Sequence, residues 1–77
     1  MKAFNIKEME NAFEIGRAMQ YMVDDGEIKI GDSKNAFTFA LALAIEFEEK
    51  YPDTEDYYYD IDDFITNRIK DAFGFED

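Results

Sequence analysis

The chain has 77 residues with no cysteine, histidine or tryptophan, and its 19 acidic side chains against 8 basic ones give a net charge of −11. The lack of cysteine and histidine excludes a disulfide framework, a thiolate zinc site, a catalytic thiol and a Ser-His-Asp triad. The acidic charge argues against direct binding of nucleic acid, because phosphate recognition requires a basic surface. Hydrophobic residues (47%) and aromatic residues (17%) are too abundant for a disordered acidic tail. We therefore expect a single folded domain over residues 1–77.

Two breaks in the hydrophobic pattern, around residues 24–26 and 51–53, divide the chain into three segments. Each segment repeats its apolar residues at three- and four-residue steps, which is typical of amphipathic helices. The pattern predicts a mainly α fold, a compact three-helix domain with helices at about residues 6–23, 34–50 and 55–73.

The first predicted helix begins with Asn5 as its N-cap and Glu8 three residues on, the spacing of a capping box. Gly16 interrupts the helix, either because another helix crosses closely there or because the helix merely tolerates a glycine. Gly26 is placed to end the helix at the C′ position. The predicted apolar face consists of Ile6, Met9, Ala12, Phe13, Met19, Met22 and Val23.

The segment after Gly26 alternates polar and apolar residues over positions 27–30, which is a short strand signal. A lone strand needs a partner. Residues 2–4 are the local candidate, so the sequence predicts a two-stranded β ribbon formed by residues 2–4 and 27–30.

The second predicted helix, capped by Asp32 or Ser33, contains only two polar residues between positions 36 and 47. A helix that is apolar on nearly all sides is expected to be buried on nearly all sides, so this is the predicted central helix, packed by both others. A stripe of small residues at positions 36, 40 and 44 favours close approach of another helix. The alternative is that one side of this helix forms a homodimer seam.

The third predicted helix starts near Thr54 or Glu55, and Gly74 with Phe75 suggests a Schellman ending. Tyr59 falls among the acidic residues, whereas Tyr57 and Tyr58 fall at the side of the apolar arc. That arc comprises Tyr57, Tyr58, Ile61, Phe64, Ile65, Arg68, Ile69 and Ala72.

Most of the negative charge lies in residues 46–63, which contain nine acidic side chains and only Lys50 as a base, for a net −8. Within this stretch Asp56, Asp60 and Asp63 stand at i, i+4 and i+7, so they step by roughly 6 Å and 4.5 Å along one helix face. This spacing is comparable to that of successive phosphates on a nucleic-acid strand. The predicted partner-binding residues are Glu48, Glu49, Asp53, Glu55, Asp56, Tyr59, Asp60, Asp62 and Asp63.

Other roles for these carboxylates fit less well. No acidic stretch matches the ligand spacing of an EF-hand loop, and a small helical domain offers little room for a catalytic cleft. We therefore expect no metal, no cofactor and no enzymatic activity. A solvated acidic face that serves only solubility is the remaining alternative.

The stretch from Asp53 to Asp63, with its acidic residues around three consecutive tyrosines, resembles the acidic segments of phage- and mobile-element-encoded inhibitors of host nucleic-acid enzymes. These include small anti-CRISPR proteins and other DNA mimics. The resemblance is one of composition and covers about 18 residues, the acidic stretch 46–63. Helical bacteriocin immunity proteins, which neutralise basic nuclease toxins, have similar acidic, tyrosine-bearing faces.

The sequence thus predicts a non-enzymatic inhibitor that binds a basic nucleic-acid-binding site on a larger protein, with a CRISPR effector as the expected partner. The alternatives are a homodimeric regulatory or assembly module and a nuclease-toxin immunity protein. No apolar stretch is long enough for a signal peptide at the start or for a membrane span, so a cytoplasmic location is expected, in the host cell if the protein is phage-encoded.

Overall fold

The computed structural model describes residues 5–74 and contains three α-helices: α1 (Ile6–Asp24), α2 (Ser33–Lys50) and α3 (Tyr57–Phe73). The predicted mainly α, three-helix architecture is confirmed. The predicted first and last residues of α1 and α2 agree with the structure to within one residue. Within residues 5–74, no helix has both the length and the apolar character needed to cross a membrane.

Local capping explains why α1 and α2 begin where they do. The Asn5 side chain accepts a hydrogen bond from the Glu8 backbone N–H at 2.8 Å, and the Glu8 carboxylate accepts one from the Asn5 N–H at 3.0 Å. This is the predicted capping box. Asp32, rather than Ser33, caps α2 by accepting from the Lys34 N–H at 2.9 Å.

The last residue of α3, Phe73, is the predicted one, but the start of the helix and the backbone that follows it differ from the prediction. The helix begins at Tyr57, because Asp56 acts as the N-cap with its carboxylate near the Tyr59 N–H at 3.4 Å. At the other end Gly74 has an extended backbone (φ −70°, ψ 160°), so the predicted left-handed Schellman ending at this glycine is wrong. Phe75 lies outside the described residues.

The β ribbon is unconfirmed, since residues 5–74 contain no strand and residues 2–4 lie outside the described part of the chain. Ile28 instead forms an isolated antiparallel bridge with Gly74, and the Lys29 N–H donates to the Phe73 carbonyl oxygen at 3.1 Å. Gly26 adopts the expected positive φ of 76° after α1 and turns the chain toward this bridge. The segment therefore ties the end of α1 to the end of α3.

The core lies between the three helices, and α2 contacts both of its neighbours. Its alanine stripe is buried, as expected for close approach of another helix, and the Ala44 carbonyl oxygen accepts a hydrogen bond from Asn11 on α1. Toward α3, Phe47 packs on Phe64. The predicted burial of α2 on nearly all sides is wrong, because two helices leave one side uncovered: the Phe37 side chain is 64% exposed. The buried apolar residues are Ile15, Met19, Met22, Ile28, Ala36, Ala40, Leu43, Ala44, Phe47, Ile61, Phe64, Ile65 and Ile69.

The face of α1 that packs on the core is rotated from the predicted one. Ile15, Met19 and Met22 are buried together with Glu8 and Asn11. The exposed residues of the predicted face are Ile6, Met9, Phe13 and Val23. The helix has two apolar arcs, one with Met9 and Phe13 and one that also contains Asn11. The hydrogen bonds of Asn11 to α2 and α3 turn the second arc toward the core.

Gly16 does not mark a close helix crossing, because a Cβ atom at this position would meet no neighbouring atom within 4 Å. Alanine has a higher helix propensity than glycine in a helix interior. We therefore expect Gly16→Ala to raise the free energy of unfolding by about 0.5–1 kcal/mol. Urea unfolding followed by circular dichroism measures this, and a loss of stability would mean that another residue packs against the glycine.

Candidate protein-binding site

An aromatic cluster fixes the acidic connection between α2 and α3. The fully buried Phe47 ring stacks on Tyr51 with centroids 5.0 Å apart and packs edge-on to Tyr57 at 5.9 Å. Phe64 closes the cluster, with its ring 5.5 Å from that of Phe47. Aromatic pairs of this kind add to the energy of simple burial, so the last turn of α2 and the first turn of α3 are held in a defined relation.

A buried asparagine links all three helices behind this connection. Asn11, which is 1% exposed, donates from Nδ2 to the Ala44 carbonyl oxygen at 3.2 Å and to the Glu48 carboxylate at 3.5 Å. Its Oδ1 accepts a hydrogen bond from the Tyr57 hydroxyl at 2.9 Å. Because a buried amide is costly unless it is bonded, these partners fix the position of α1 against α2 and α3.

Burial raises the pKa of Tyr57 to about 12, and the nearby carboxylates of Glu14 and Glu10 act in the same direction. Both causes disfavour the phenolate. At neutral pH the Tyr57 hydroxyl is therefore a donor to Asn11. This tyrosine was predicted to lie at the side of the apolar arc of the third helix. Its hydroxyl in fact forms a hydrogen bond that joins α3 to α1.

We expect a pH-dependent stability from this tyrosine. Its pKa is higher in the folded chain than in the unfolded one, so its contribution is complete below about pH 10 and is lost as the pH rises through about 12. Below pH 10, Tyr57→Phe should lower the free energy of unfolding by about 1 kcal/mol, because the hydrogen bond is lost. The gap between the free energies of unfolding of the variant and the wild type should close between pH 10 and pH 12. Urea unfolding across this range tests it, with Tyr59→Phe as the matched control; a gap that stays constant would contradict the assignment.

The acidic residues predicted to bind a partner lie on several sides of this end of the domain. Asp53, Glu55, Asp56 and Asp60 line an open depression beside the α2–α3 connection, together with Lys50. Asp56, Asp60 and Asp63 were predicted to follow one another along one face of the third helix. Only Asp60 and Asp63 stand on α3, because Asp56 precedes the helix as its N-cap.

The remaining predicted residues lie elsewhere. Tyr59, which is 66% exposed, and Asp62 line a groove between α1 and α3. Glu49 and Asp63 are exposed, on α2 and α3 respectively. Glu48 is half-buried and its carboxylate accepts a hydrogen bond from Asn11, so this predicted partner-binding residue has a bond inside the protein.

Nearly all of the acidic charge at this end lacks an ion-pair partner within residues 5–74. The ion pairs in this part of the chain join Glu14 to Arg17, Glu46 to Arg68 and Glu27 to Lys70. None involves an acidic residue between positions 48 and 63. Among the described residues, no three acidic side chains converge closely enough to hold a metal ion.

Two residues of this region were missed by the sequence analysis. Asn11 was overlooked because it is polar, although its four-residue spacing to Ile15 and Met19 places it on their buried arc. Tyr58 was assigned to the apolar side of α3 but is 68% exposed beside α1. Its exposure depends on how α3 packs against α1, which periodicity along one helix does not reveal.

Comparison of the chain with protein-family models, curated protein sequences and solved structures found no significant match.

Proposed function

We propose that the protein is a non-enzymatic inhibitor that binds a basic nucleic-acid-binding site on a larger protein and competes with the nucleic acid. The observation that carries the proposal is the cluster of acidic residues between positions 48 and 63, which have no ion pair within residues 5–74. We refer to this cluster, with Tyr59, as the acidic end. A guide-loaded CRISPR effector is the specific partner that we propose.

Rigid support of the charge favours recognition over mere solubility. The start of α3 is held by the Phe47 cluster and by the Tyr57–Asn11 hydrogen bond. Because the backbone that carries the carboxylates is already ordered, binding to lysine and arginine side chains arranged for phosphates costs only the conformational entropy of the acidic side chains. Each carboxylate would then take the place of a phosphate group in such a pocket.

Tyr59 supplies a contact of a different kind. It stands on α3 close in sequence to Asp60 and Asp62, and most of its side chain is in solvent. Exposed tyrosines are enriched among the residues that dominate binding energy at interfaces. The surrounding charge would steer a basic partner toward the acidic end, so association should slow as the salt concentration rises.

The proposal is tested with purified, guide-loaded CRISPR effectors and fluorescent target DNA in a mobility-shift assay. We expect the protein to prevent DNA binding by at least one effector and to do so less strongly at high salt. A second arm covers other DNA-binding partners: extract proteins held on DNA-cellulose are washed with the protein and identified if they elute. If no effector loses its DNA and no protein elutes, the proposal is wrong.

A further inference from the structure

One side of the domain, next to the acidic end, exposes an unusual number of large apolar side chains. On α1 the Phe13 side chain is 68% exposed, and Met9 and Ile6 lie exposed on the same arc. These residues repeat at three- and four-residue steps, so they form a stripe along the helix. The stripe faces away from the core arc of Ile15 and Met19.

The stripe continues onto α3 through Tyr58. This tyrosine lines one depression with Phe13 and Met9, and it also lines the neighbouring groove with Tyr21 and Tyr59. The two depressions have volumes of about 350 and 410 Å³. We call this continuous surface, formed by Met9, Phe13, Tyr21, Tyr58 and Tyr59, the aromatic groove.

Carboxylates border the aromatic groove. Glu10 and Glu14 lie beside Phe13 and Tyr58, and Asp62 lies beside Tyr59. Among residues 5–74, Arg17 is the one base that lines the two depressions. Its guanidinium lies 3.9 Å from the Glu14 carboxylate and 5.8 Å from the centre of the Tyr21 ring. The lining of the groove thus carries three carboxylates against one guanidinium, a net negative charge that a basic ligand would complement.

From this combination we propose that the aromatic groove binds a basic amphipathic helix of a partner protein. The apolar side of such a helix would cover Phe13 and Tyr58, and its lysine or arginine residues would reach Glu10, Glu14 and Asp62. A second copy of this chain fits the groove less well, because the copy would bring the same carboxylates and a net charge of −11 to the contact. The aromatic groove shares Tyr59 and Asp62 with the acidic end and extends the contact surface onto α1. Binding of a helix there does not require that the acidic end compete with nucleic acid.

The test uses a fluorescein-labelled peptide of about 18 residues, roughly 27 Å long as a helix, with leucine and lysine at helical spacing. We expect saturable binding by fluorescence anisotropy, with binding of a scrambled peptide of the same composition weaker by about tenfold or more. The double variant Phe13→Ala/Tyr58→Ala should also bind the amphipathic peptide about tenfold more weakly. Phe37→Ala, which removes an exposed aromatic ring from α2, is the matched control and should bind within about twofold of the wild type.

A second pair of variants tests the carboxylates. Glu10→Gln/Glu14→Gln should weaken peptide binding more than Asp24→Asn/Asp71→Asn, which removes the same charge from exposed positions outside the aromatic groove. Circular dichroism confirms that each variant keeps its helices. Equal binding of the two peptides, or full binding by Phe13→Ala/Tyr58→Ala, would overturn the proposal. So would a wild-type dimer in sedimentation that this double variant abolishes, because the groove would then belong to a second copy.

The positions changed in the groove variants all lie outside the acidic end; they are Glu10, Phe13, Glu14 and Tyr58. A failure here would leave the competition with nucleic acid intact, and a failure of that competition would leave peptide binding intact.

Discussion

Reversing two charges of the acidic end, Asp62→Lys/Asp63→Lys, should weaken binding to the inhibited effector by about 100-fold, or about 2.7 kcal/mol. Both side chains are exposed on α3, so the helix should tolerate the change. The two lysines would repel the basic site of the effector, and this repulsion adds to the loss of the attraction that the two aspartates supply. Titration of the labelled effector with each variant measures the dissociation constant.

Asp56 is left unchanged in this variant because it is the N-cap of α3. Replacing an N-cap costs about 1 kcal/mol of stability, which would confuse a loss of binding with a loss of folding. A variant that included this residue would not separate the two causes.

The matched control for the charge reversal is Asp24→Lys/Asp71→Lys. Each aspartate-to-lysine change adds two charges, so both double variants carry −7 in place of −11. General steering by net charge is therefore altered equally, and only the location differs. We expect the control to bind within about threefold of the wild type. Equal weakening in both variants would show that net charge, and not the acidic end, determines binding.

Asn11→Asp should be the most destabilising single substitution of those discussed, costing about 3 kcal/mol or more at pH 7. The amide nitrogen that donates to Ala44 and Glu48 would be replaced by a second oxygen. The oxygen that accepts from the Tyr57 hydroxyl would keep its donor. The new oxygen would face the Ala44 carbonyl oxygen and the Glu48 carboxylate, which are both acceptors. A domain of this size has a total stability of roughly 5 kcal/mol, so a loss of about 3 kcal/mol would remove more than half of it.

The pH dependence of this variant identifies the cause. A carboxyl group in this site would bind its proton more tightly in the folded chain than in the unfolded one, so the variant should regain stability relative to the wild type as the pH falls from 7 to about 4. Asn35→Asp, the same substitution at an exposed position in the first turn of α2, is the control and should change stability little. If the loss of stability of Asn11→Asp relative to the wild type does not change with pH, the hydrogen-bonding role of the amide is contradicted.

Local features of the chain were predictable from sequence, because they depend on residues a few positions apart. The capping box of Asn5 and Glu8 and the cap at Asp32 involve side chains that bond within their own turn. The three helices and the position of the positive-φ glycine Gly26 follow from the same short-range rules. The concentration of charge at the start of α3 could also be read directly.

Features that depend on contacts between helices were not predictable in the same way. The buried arc of α1 is set by the bonds of Asn11 to α2 and α3, so an estimate from apolar residues alone favoured the arc of Phe13. The partner of Ile28 was sought near the start of the chain, whereas the bridge forms with Gly74, far away in sequence. For the acidic end, the sequence indicated the residues but not their distribution over two depressions and the exposed helix faces.

Competition for the DNA site can be measured as inhibition of an effector at increasing concentrations of target DNA. If the acidic end occupies the DNA site, the concentration of protein that gives half-inhibition should rise linearly with the DNA concentration. The same value at every DNA concentration would show that the protein acts away from the DNA site, and would contradict the account.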